Sequence, residues 1–217
     1  LTFPALSIID PELMISIPPH LTAYQGFDAF FHAAEGFIAN CATPISDLYA
    51  LEAIRLLYKY LPVAVNDGKN LKARAKVAWA STLAGLVEAT SSCTSEHSME
   101  HAMSAYYPQL PHGAGLIALS EAYFETFRND CMKRYMKMAD VMTQQKSNRP
   151  SDFIDALARM KKECHVDNIK LSEWGLKEED LPKMVQNALD TMGGLFTLDP
   201  RPLTDDEVLN IYRQSYK

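Results

Sequence analysis

The stretch GFDAFFHAAEG (residues 26–36) and the later stretch SEHSMEHAMSA (residues 95–105) each contain two potential metal ligands four positions apart. Asp28 precedes His32 in the first stretch, and His97 precedes His101 in the second. A spacing of four places both side chains on one face of a helix. Two such helices, facing each other, would bring a carboxylate and two or three imidazoles to a common point. Because these groups suit Fe²⁺ or Zn²⁺ better than Ca²⁺ or Mg²⁺, the pattern predicts a metal site between packed helices.

A further histidine, His112, follows in the run PHG at residues 111–113. Each candidate taken alone also has an ordinary structural interpretation. Asp28 and His32 could form an ion pair on a helix surface, and His112 could be a hydrogen-bonded ring at a helix start. The pair of histidines in the second stretch lies among Met and Ala, and buried rings need partners for both nitrogens. Five candidates in two clusters favour the metal site.

The composition excludes several classes of protein. The chain has 217 residues, of which 47% are apolar and 22% charged, as in a globular protein. Its net charge of -6 argues against nucleic acid as a partner. No apolar run of 18 residues exists, so no membrane span is expected. The four cysteines are far apart and form no CxxC, which favours reduced thiols and a cytoplasmic protein.

Helical patterns fill the chain after residue 10, and no alternating strand pattern is convincing there. We expect a short helix from Pro18 that breaks at Gly26, and another helix from Ser95 to the prolines at 108 and 111. The other predicted helices are 27–38, 46–61, 69–90, 113–127, 132–142, 150–164, 178–191 and 205–216. The helix at 46–61 has an apolar stripe of Leu48, Leu51, Ile54, Leu57 and Leu61. The sequence therefore predicts an all-α bundle.

Two runs carry a more specific resemblance: DPELMISIPPHLTAYQGFDAFFHAAEGF (residues 10–37) and EHSMEHAMSAYYPQLPHGAGL (residues 96–116). They resemble the C-terminal helical domain of the iron-containing (group III) alcohol dehydrogenases. Three further runs support this resemblance in order: ISDLYALEAIRLL (45–57), ARAKVAWASTLAGL (73–86), and the tail from residue 191. The resemblance implies the dehydroquinate synthase-like fold of the C-terminal α-domain.

The same resemblance assigns roles to individual residues. The metal ligands of the family fall on Asp28, His32, His97 and His112, listed here in chain order. His101 matches the additional active-site histidine near the metal and the nicotinamide ring, which implies a catalytic and a cofactor-binding role. Glu88 and Thr191 are expected to border the substrate pocket. Several relatives carry an apolar or aromatic residue where Glu88 stands, so a substrate more polar than a plain alkanol is expected.

The reaction that the resemblance implies is reversible hydride transfer between a primary or secondary alcohol and NAD or NADP. A divalent ion, Fe²⁺ or Zn²⁺, would serve as Lewis acid on the substrate oxygen, and His101 would relay the proton. The cofactor is expected mainly in an N-terminal α/β domain that this chain lacks, since its nine glycines include no G-x-G-x-x-G. The apolar, strand-like residues 1–10 would be the end of that domain, and residues 11–217 the metal- and substrate-binding domain. This chain alone is expected to be inactive.

Two other hypotheses about the chain remain open. The first is a zinc polyol dehydrogenase resembling glycerol dehydrogenase, which would use a similar site. A dehydroquinate synthase, in contrast, would require a glutamate among the ligands. A non-enzymatic helical scaffold would need no metal. The sequence alone does not identify the alcohol, and it does not decide between NAD and NADP or between Fe and Zn. We expect a small-molecule substrate, no nucleic acid or membrane partner, and a homo-oligomer in the full-length protein.

Overall fold

Nine α-helices form the part of the chain that this computed structural model describes, residues 4–216. No strand occurs in this range, so the predicted all-α class is confirmed. Short 3-10 helices lie at Pro11–Met14, Leu171–Trp174 and Glu178–Asp180. The α-helices are α1 (Pro19–Ile38), α2 (Pro44–Asn66), α3 (Leu71–Thr90), α4 (Ser95–Tyr106), α5 (His112–Thr126), α6 (Met132–Thr143), α7 (Ser151–Glu163), α8 (Leu181–Phe196) and α9 (Asp205–Ser215).

Helix α1 is the central element of the bundle, since it packs against α2, α3 and α5. It is buried along most of its length because apolar and small residues occupy nearly every position after Thr22. Helix α4 packs between α5 and α8, and α5 also contacts α7 and α9. His97 at the start of α4 and His112 at the start of α5 both contact Asp28 of α1, the arrangement that the predicted metal site requires.

An aromatic cluster fixes α1 against the second half of the chain. Phe31 of α1 stacks on Phe124 of α5 with ring centroids 6.2 Å apart, and Phe30 stacks on Phe153 of α7 at 6.4 Å. Tyr135 of α6 closes the cluster and donates a hydrogen bond to the carbonyl of Phe124 at 2.8 Å. All five rings are fully buried. Truncation of one such buried ring to alanine typically costs about 3–5 kcal/mol.

The predicted break at Gly26 is wrong, because α1 is one continuous helix from Pro19 to Ile38. Gly26 lies inside it and serves close packing rather than helix termination. A Cβ at Gly26 would lie 2.2 Å from Cδ1 of Leu61, so the missing side chain lets α2 approach α1. Glycine lowers helix stability by only about 1 kcal/mol, and the packing of α1 outweighs that cost.

Helix α2 also differs from its prediction. It begins at Pro44 behind a capping box between Thr43 and Ser46, and it continues through Pro62 to Asn66 instead of ending at Leu61. Leu48, predicted for the apolar stripe, is 72% exposed. The buried face instead follows Ala50, Ala53, Ile54, Leu57 and Leu61, because α1 and α3 contact α2 on a face that the alanines share.

The segment before α1 was predicted as a strand that ends an upstream domain. Residues 4–10 are exposed and have no regular secondary structure, and residues 1–3 lie outside the described residues, as does residue 217. A strand requires a partner strand, and residues 4–216 supply none. The division into 1–10 and 11–217 therefore stays a prediction. Across the described residues, no helix is both long and apolar enough to cross a membrane.

Helix α5 approaches the backbone of α1 closely at Gly113. A Cβ built there would lie 2.3 Å from the carbonyl oxygen of Tyr24, which belongs to the backbone of α1. Only glycine fits this contact without a shift of one of the helices. The contact brings the first turn of α5, including His112, against α1 one turn before Asp28.

We predict that Gly113→Ala lowers the free energy of unfolding by about 1–3 kcal/mol, because overpacking against a backbone atom forces α5 away from α1. Chemical denaturation measures this loss. Gly85→Ala on α3 is the matched control, since no atom lies within 4 Å of a Cβ there. It should stabilise the protein by about 0.5–1 kcal/mol. Equal stability of the two variants would contradict the tight contact.

Candidate metal centre

The structure brings the four predicted ligands together around one carboxylate oxygen. Oδ1 of Asp28 lies 3.4 Å from Nε2 of His32, 3.6 Å from Nε2 of His97 and 3.2 Å from Nε2 of His112. Asp28 and His32 come from adjacent turns of α1, whereas His97 belongs to the first turn of α4 and His112 begins α5. Three segments far apart in the sequence thus meet at one point.

The outer nitrogen of each of these histidines contacts an acid. Nδ1 of His97 is hydrogen-bonded to Glu35, and Nδ1 of His112 to Glu100. Both of these carboxylates are fully buried. An imidazole that donates its Nδ1 proton to a carboxylate keeps the lone pair on Nε2, which is the nitrogen turned toward Asp28. Carboxylate–histidine pairs of this kind orient the ligands in many metal sites.

The third histidine, His32, has two neighbours at Nδ1. Oε2 of Glu88 lies at 2.7 Å, and the sulfur of Cys93 lies at 3.0 Å. The side chain of Glu88 is 50% exposed, so this acid also faces solvent. Cys93, His32 and His97 offer ligand atoms within 4.8 Å of one another, and so do Asp28, His97 and His112. These two groups share His97.

Shifted pKa values show how strongly these groups interact. Burial alone would raise the pKa of Asp28, but the close imidazoles of His112, His32 and His97 hold this pKa well below its usual range. Burial opposes protonation of His32 as well, yet its contacts with Asp28, Cys93 and Glu88 raise its pKa to about 12. The same competition raises the pKa of His112 to about 9, through its contacts with Asp28 and Glu100. The pKa of His97 also rises well above its usual value, because Glu35 outweighs burial.

Two buried atoms at the centre of the cluster have no hydrogen-bond partner within residues 4–216: Oδ1 of Asp28 and Nε2 of His97. Unpaired buried polar atoms are rare in folded proteins and call for an explanation. Ligand atoms about 2.1 Å from a shared tetrahedral ion are roughly 3.4 Å apart. The three separations around Asp28 Oδ1 span this value. One carboxylate with three imidazoles therefore fits a divalent ion such as Fe²⁺ or Zn²⁺.

His101 lies beside this centre and not among the four converging atoms. Its ring centroid is 5.2 Å from that of His112, and the residue is exposed. Burial of part of the ring, and then the charge of His112, lower the pKa of His101. Glu100, His101 and His112 also offer ligand atoms within 4.8 Å of one another. Since Nδ1 of His112 already contacts Glu100, this group is a hydrogen-bonded edge of the same centre.

The two predicted pocket residues, Glu88 and Thr191, differ in their position relative to the metal centre. Glu88 reaches the centre through His32, and the hydrogen bond from His32 lowers the pKa of this acid. Thr191 is exposed on α8, and its hydroxyl donates to the carbonyl of Asn187 at 2.7 Å. Helix α8 packs against α4, which carries His97 and His101. The substrate-binding role of both residues stays a prediction.

The sequence analysis missed three residues that contact the histidines: Glu35, Glu100 and Cys93. A signal existed for the two acids, since each lies in an apolar stretch and within three residues of a candidate histidine. Charged residues in such stretches are rarely buried without a partner. Cys93 gave no comparable signal, because isolated buried cysteines are common.

Comparison with known proteins places the chain in a family. Residues 22–216 match the sequence profile of the Fe-containing alcohol dehydrogenase family, C-terminal. The chain is 34% identical to 1,3-propanediol dehydrogenase of Citrobacter freundii over 220 residues, covering 98% of the chain and 55% of that enzyme. It is 31% identical to alcohol dehydrogenase 4 of Schizosaccharomyces pombe over 217 residues, covering 99% of the chain and 50% of that enzyme.

Solved structures give the same result. An archaeal halo-thermophilic Red Sea brine pool alcohol dehydrogenase matches with a TM-score of 0.93 and 34% identity, covering 98% of this chain and 55% of that one. A 1,3-propanediol oxidoreductase matches with a TM-score of 0.92 and 32% identity, covering 99% of this chain and 56% of that one. The chain thus spans about half the length of these relatives. With the profile match over residues 22–216, this shows that the chain belongs to the Fe-containing alcohol dehydrogenase family and corresponds to its C-terminal, all-helical part.

Proposed function

We propose that this chain is the metal- and substrate-binding half of a metal-dependent alcohol dehydrogenase. Its reaction is reversible hydride transfer between a primary or secondary alcohol, or its aldehyde or ketone, and NAD or NADP. The observation that carries the proposal is the buried, unpaired Oδ1 of Asp28, with Nε2 atoms of three histidines within 3.6 Å. Membership of the family supports the class of reaction.

The residues that would hold the ion are Asp28, His32, His97 and His112, with Fe²⁺ as our first assignment and Zn²⁺ as the alternative. A bound ion would supply a Lewis acid for the substrate oxygen, and a nicotinamide cofactor would supply the hydride chemistry. Asp28 contributes the negative charge that offsets part of the charge of the ion. The acids on Nδ1 keep the three rings turned with Nε2 inward.

His101 is the residue we assign to proton transfer and to contact with the nicotinamide. Its ring lies next to His112 on the edge of the centre and reaches solvent, so a proton can pass between the centre and water. Its lowered pKa leaves the imidazole neutral near pH 7, the form that accepts a proton. A neutral ring beside the centre also adds no positive charge to compete with the ion.

The position of Glu88 favours a substrate with a second polar group. Its half-exposed carboxylate lies beside His32, where it can accept a hydrogen bond from a hydroxyl of the substrate. Two relatives are named 1,3-propanediol dehydrogenase, and that name states a diol substrate. This observation favours a diol over a plain alkanol, and it keeps a zinc polyol dehydrogenase as the alternative function.

The remaining expectations concern the whole protein. We expect a homo-oligomer in the cytoplasm, with the nicotinamide cofactor held mainly by an N-terminal α/β domain outside this chain. The isolated chain should therefore bind metal but show no turnover with alcohol and NAD or NADP. A non-enzymatic scaffold would show no dependence on metal, which the first experiment below examines.

Elemental analysis after anaerobic reconstitution with Fe²⁺ should find about one ion per chain, because four ligand groups converge on one point. Asp28→Ala and His97→Ala should lose the ion, while His101→Ala, outside the converging atoms, should retain it. Metal-free wild-type protein, or equal metal content in all four proteins, would contradict the proposed site and favour the scaffold.

Replacement of Glu100 by Gln should weaken metal binding about 10- to 100-fold, the usual cost of losing a carboxylate partner of a ligating histidine. Competition with a chelator measures the change. Glu125→Gln is a control on the same helix as His112, since Glu125 is half-exposed and pairs with Arg128. Equal affinity of the two variants would show that Glu100 does not orient His112.

In the full-length enzyme, Glu88→Leu should lower kcat/KM for 1,3-propanediol relative to 1-propanol by about 10-fold, the value of one lost hydrogen bond of ~1.4 kcal/mol. Both substrates are assayed at saturating metal, so that a change at His32 affects the two equally. An unchanged ratio would remove Glu88 from the substrate pocket.

A further inference from the structure

A continuous network of hydrogen bonds extends from His97 into the core, away from the metal centre. Glu35 accepts the Nδ1 proton of His97 with one carboxylate oxygen. Its other oxygen accepts from both the backbone N–H and the hydroxyl of Thr94, each at 2.8 Å. Because Thr94 gives its one hydroxyl proton to Glu35, its oxygen is the acceptor toward the hydroxyl of Tyr123 at 2.7 Å, and the hydroxyl oxygen of Tyr123 lies 3.0 Å from Oδ1 of Asp199.

Every member of this network is buried: Glu35, Thr94 and Tyr123 are fully enclosed, and His97 and Asp199 nearly so. No Lys or Arg forms an ion pair with Glu35 anywhere in residues 4–216. The carboxylate of Glu35 is therefore held by His97 on one side and by Thr94 on the other. Three hydrogen bonds from two residues therefore constrain the geometry of this carboxylate.

Thr94 is the residue at the N-cap of α4, yet its side chain does not cap that helix. Threonine at this position ordinarily accepts from a backbone N–H two or three residues later and so stabilises the helix. Here the hydroxyl turns to Glu35 and Tyr123, and Asp199 accepts the N–H of Ser95 at 3.1 Å instead. The diverted hydroxyl indicates that the contact with Glu35 is favoured over the local cap.

We propose that Thr94 and Tyr123 are positioning residues for the metal centre, acting through Glu35 on His97. Thr94 fixes the rotamer of Glu35, and Tyr123 fixes the hydroxyl of Thr94. Glu35 in turn holds the Nδ1 proton of His97 and directs Nε2 toward Asp28. Neither Thr94 nor Tyr123 touches the ion site itself. The inference rests on the proposed function, because it requires a metal ion bound by Asp28, His32, His97 and His112.

The His97 network differs from those of the other two histidines. Glu88 beside His32 is half-exposed, so solvent can replace part of its support. Glu100 beside His112 is buried and receives one hydroxyl, from Ser104 on its own helix. Within residues 4–216, Glu35 alone of the three acids is linked beyond its histidine to a further helix and to the loop after α8, through Thr94, Tyr123 and Asp199. Packing changes in that loop should therefore reach the metal centre.

The test uses Co²⁺ as the probe, since its affinity and its visible absorption both report on the ligands. Thr94→Val removes the hydroxyl at nearly constant volume, and Tyr123→Phe removes the other hydroxyl. Both should weaken Co²⁺ binding by about 10-fold or more and alter the visible spectrum. Thr94→Ser retains the hydroxyl and should restore the affinity and spectrum of the wild type.

Tyr212→Phe is the matched control for a merely structural effect. Tyr212 is a fully buried tyrosine of α9, and its hydroxyl donates to the carbonyl of Met99 in α4 at 2.7 Å. Its loss should lower the melting temperature of the metal-free protein, as Tyr123→Phe does, and leave the affinity and spectrum for Co²⁺ unchanged. The split between the two tyrosine variants separates positioning from general destabilisation.

Wild-type affinity and spectrum in both Thr94→Val and Tyr123→Phe would overturn the inference and leave the proposed function intact. Failure of the wild-type protein to bind Co²⁺ would overturn the proposed function itself, and with it the inference. If Thr94→Val does not fold, the comparison of Tyr123→Phe with Tyr212→Phe still tests the inference. Equal Co²⁺ affinity in those two variants would overturn it.

Discussion

The charge on Asp28 is the constraint around which the rest of the centre is organised. A carboxylate oxygen at the edge of a helical core is costly unless it is paired. Here three imidazoles surround it, and each arrives from a different turn or helix. Each imidazole is itself held by an acid on its outer nitrogen. The central charge therefore requires α1, α3, α4 and α5 to keep one relative position.

Small residues make that relative position possible. Gly113 lets the start of α5 rest on the backbone of α1, and Gly115 leaves room for Glu100, whose Cγ and Oε1 would lie 2.8 Å from an added Cβ. Gly36 likewise accommodates Val87 of α3 at 2.3 Å. Ordinary side chains at these positions would separate the helices. Polar groups buried at the centre would then lose partners that water cannot replace.

Two of the outer acids lie where solvent does not reach. Glu35 and Glu100 are fully buried, and each contacts one histidine and at least one hydroxyl. Glu96 is buried too, but neither of its carboxylate oxygens has a hydrogen-bond partner within residues 4–216. Burial, and then the neighbouring Glu35, raise the pKa of Glu96 well above its usual value. Glu35 and Glu100 thus differ from Glu96 in facing a histidine.

Local rules predicted most of the helices because helix periodicity, prolines and capping residues act over a few positions. The helix that carries His97 ends before Pro108 as expected, and Thr43 begins α2 in a capping box. The same local rules failed at Gly26 and Leu48. A glycine inside a helix and the choice of buried face depend on which neighbour approaches, here α2 against α1. That neighbour is invisible to a local pattern.

The sequence by itself predicted the candidate donor set: a carboxylate and a histidine one turn apart, a second pair of histidines, and His112 at a helix start. It also determined the all-α class and the family resemblance. Only the tertiary structure decided which nitrogen of each ring points inward, because that choice depends on the acid that meets the other nitrogen. Glu35 meets His97 across a separation of 62 residues. No local spacing encodes such a contact, since the packing of both α1 and α4 against α5 brings the two side chains together.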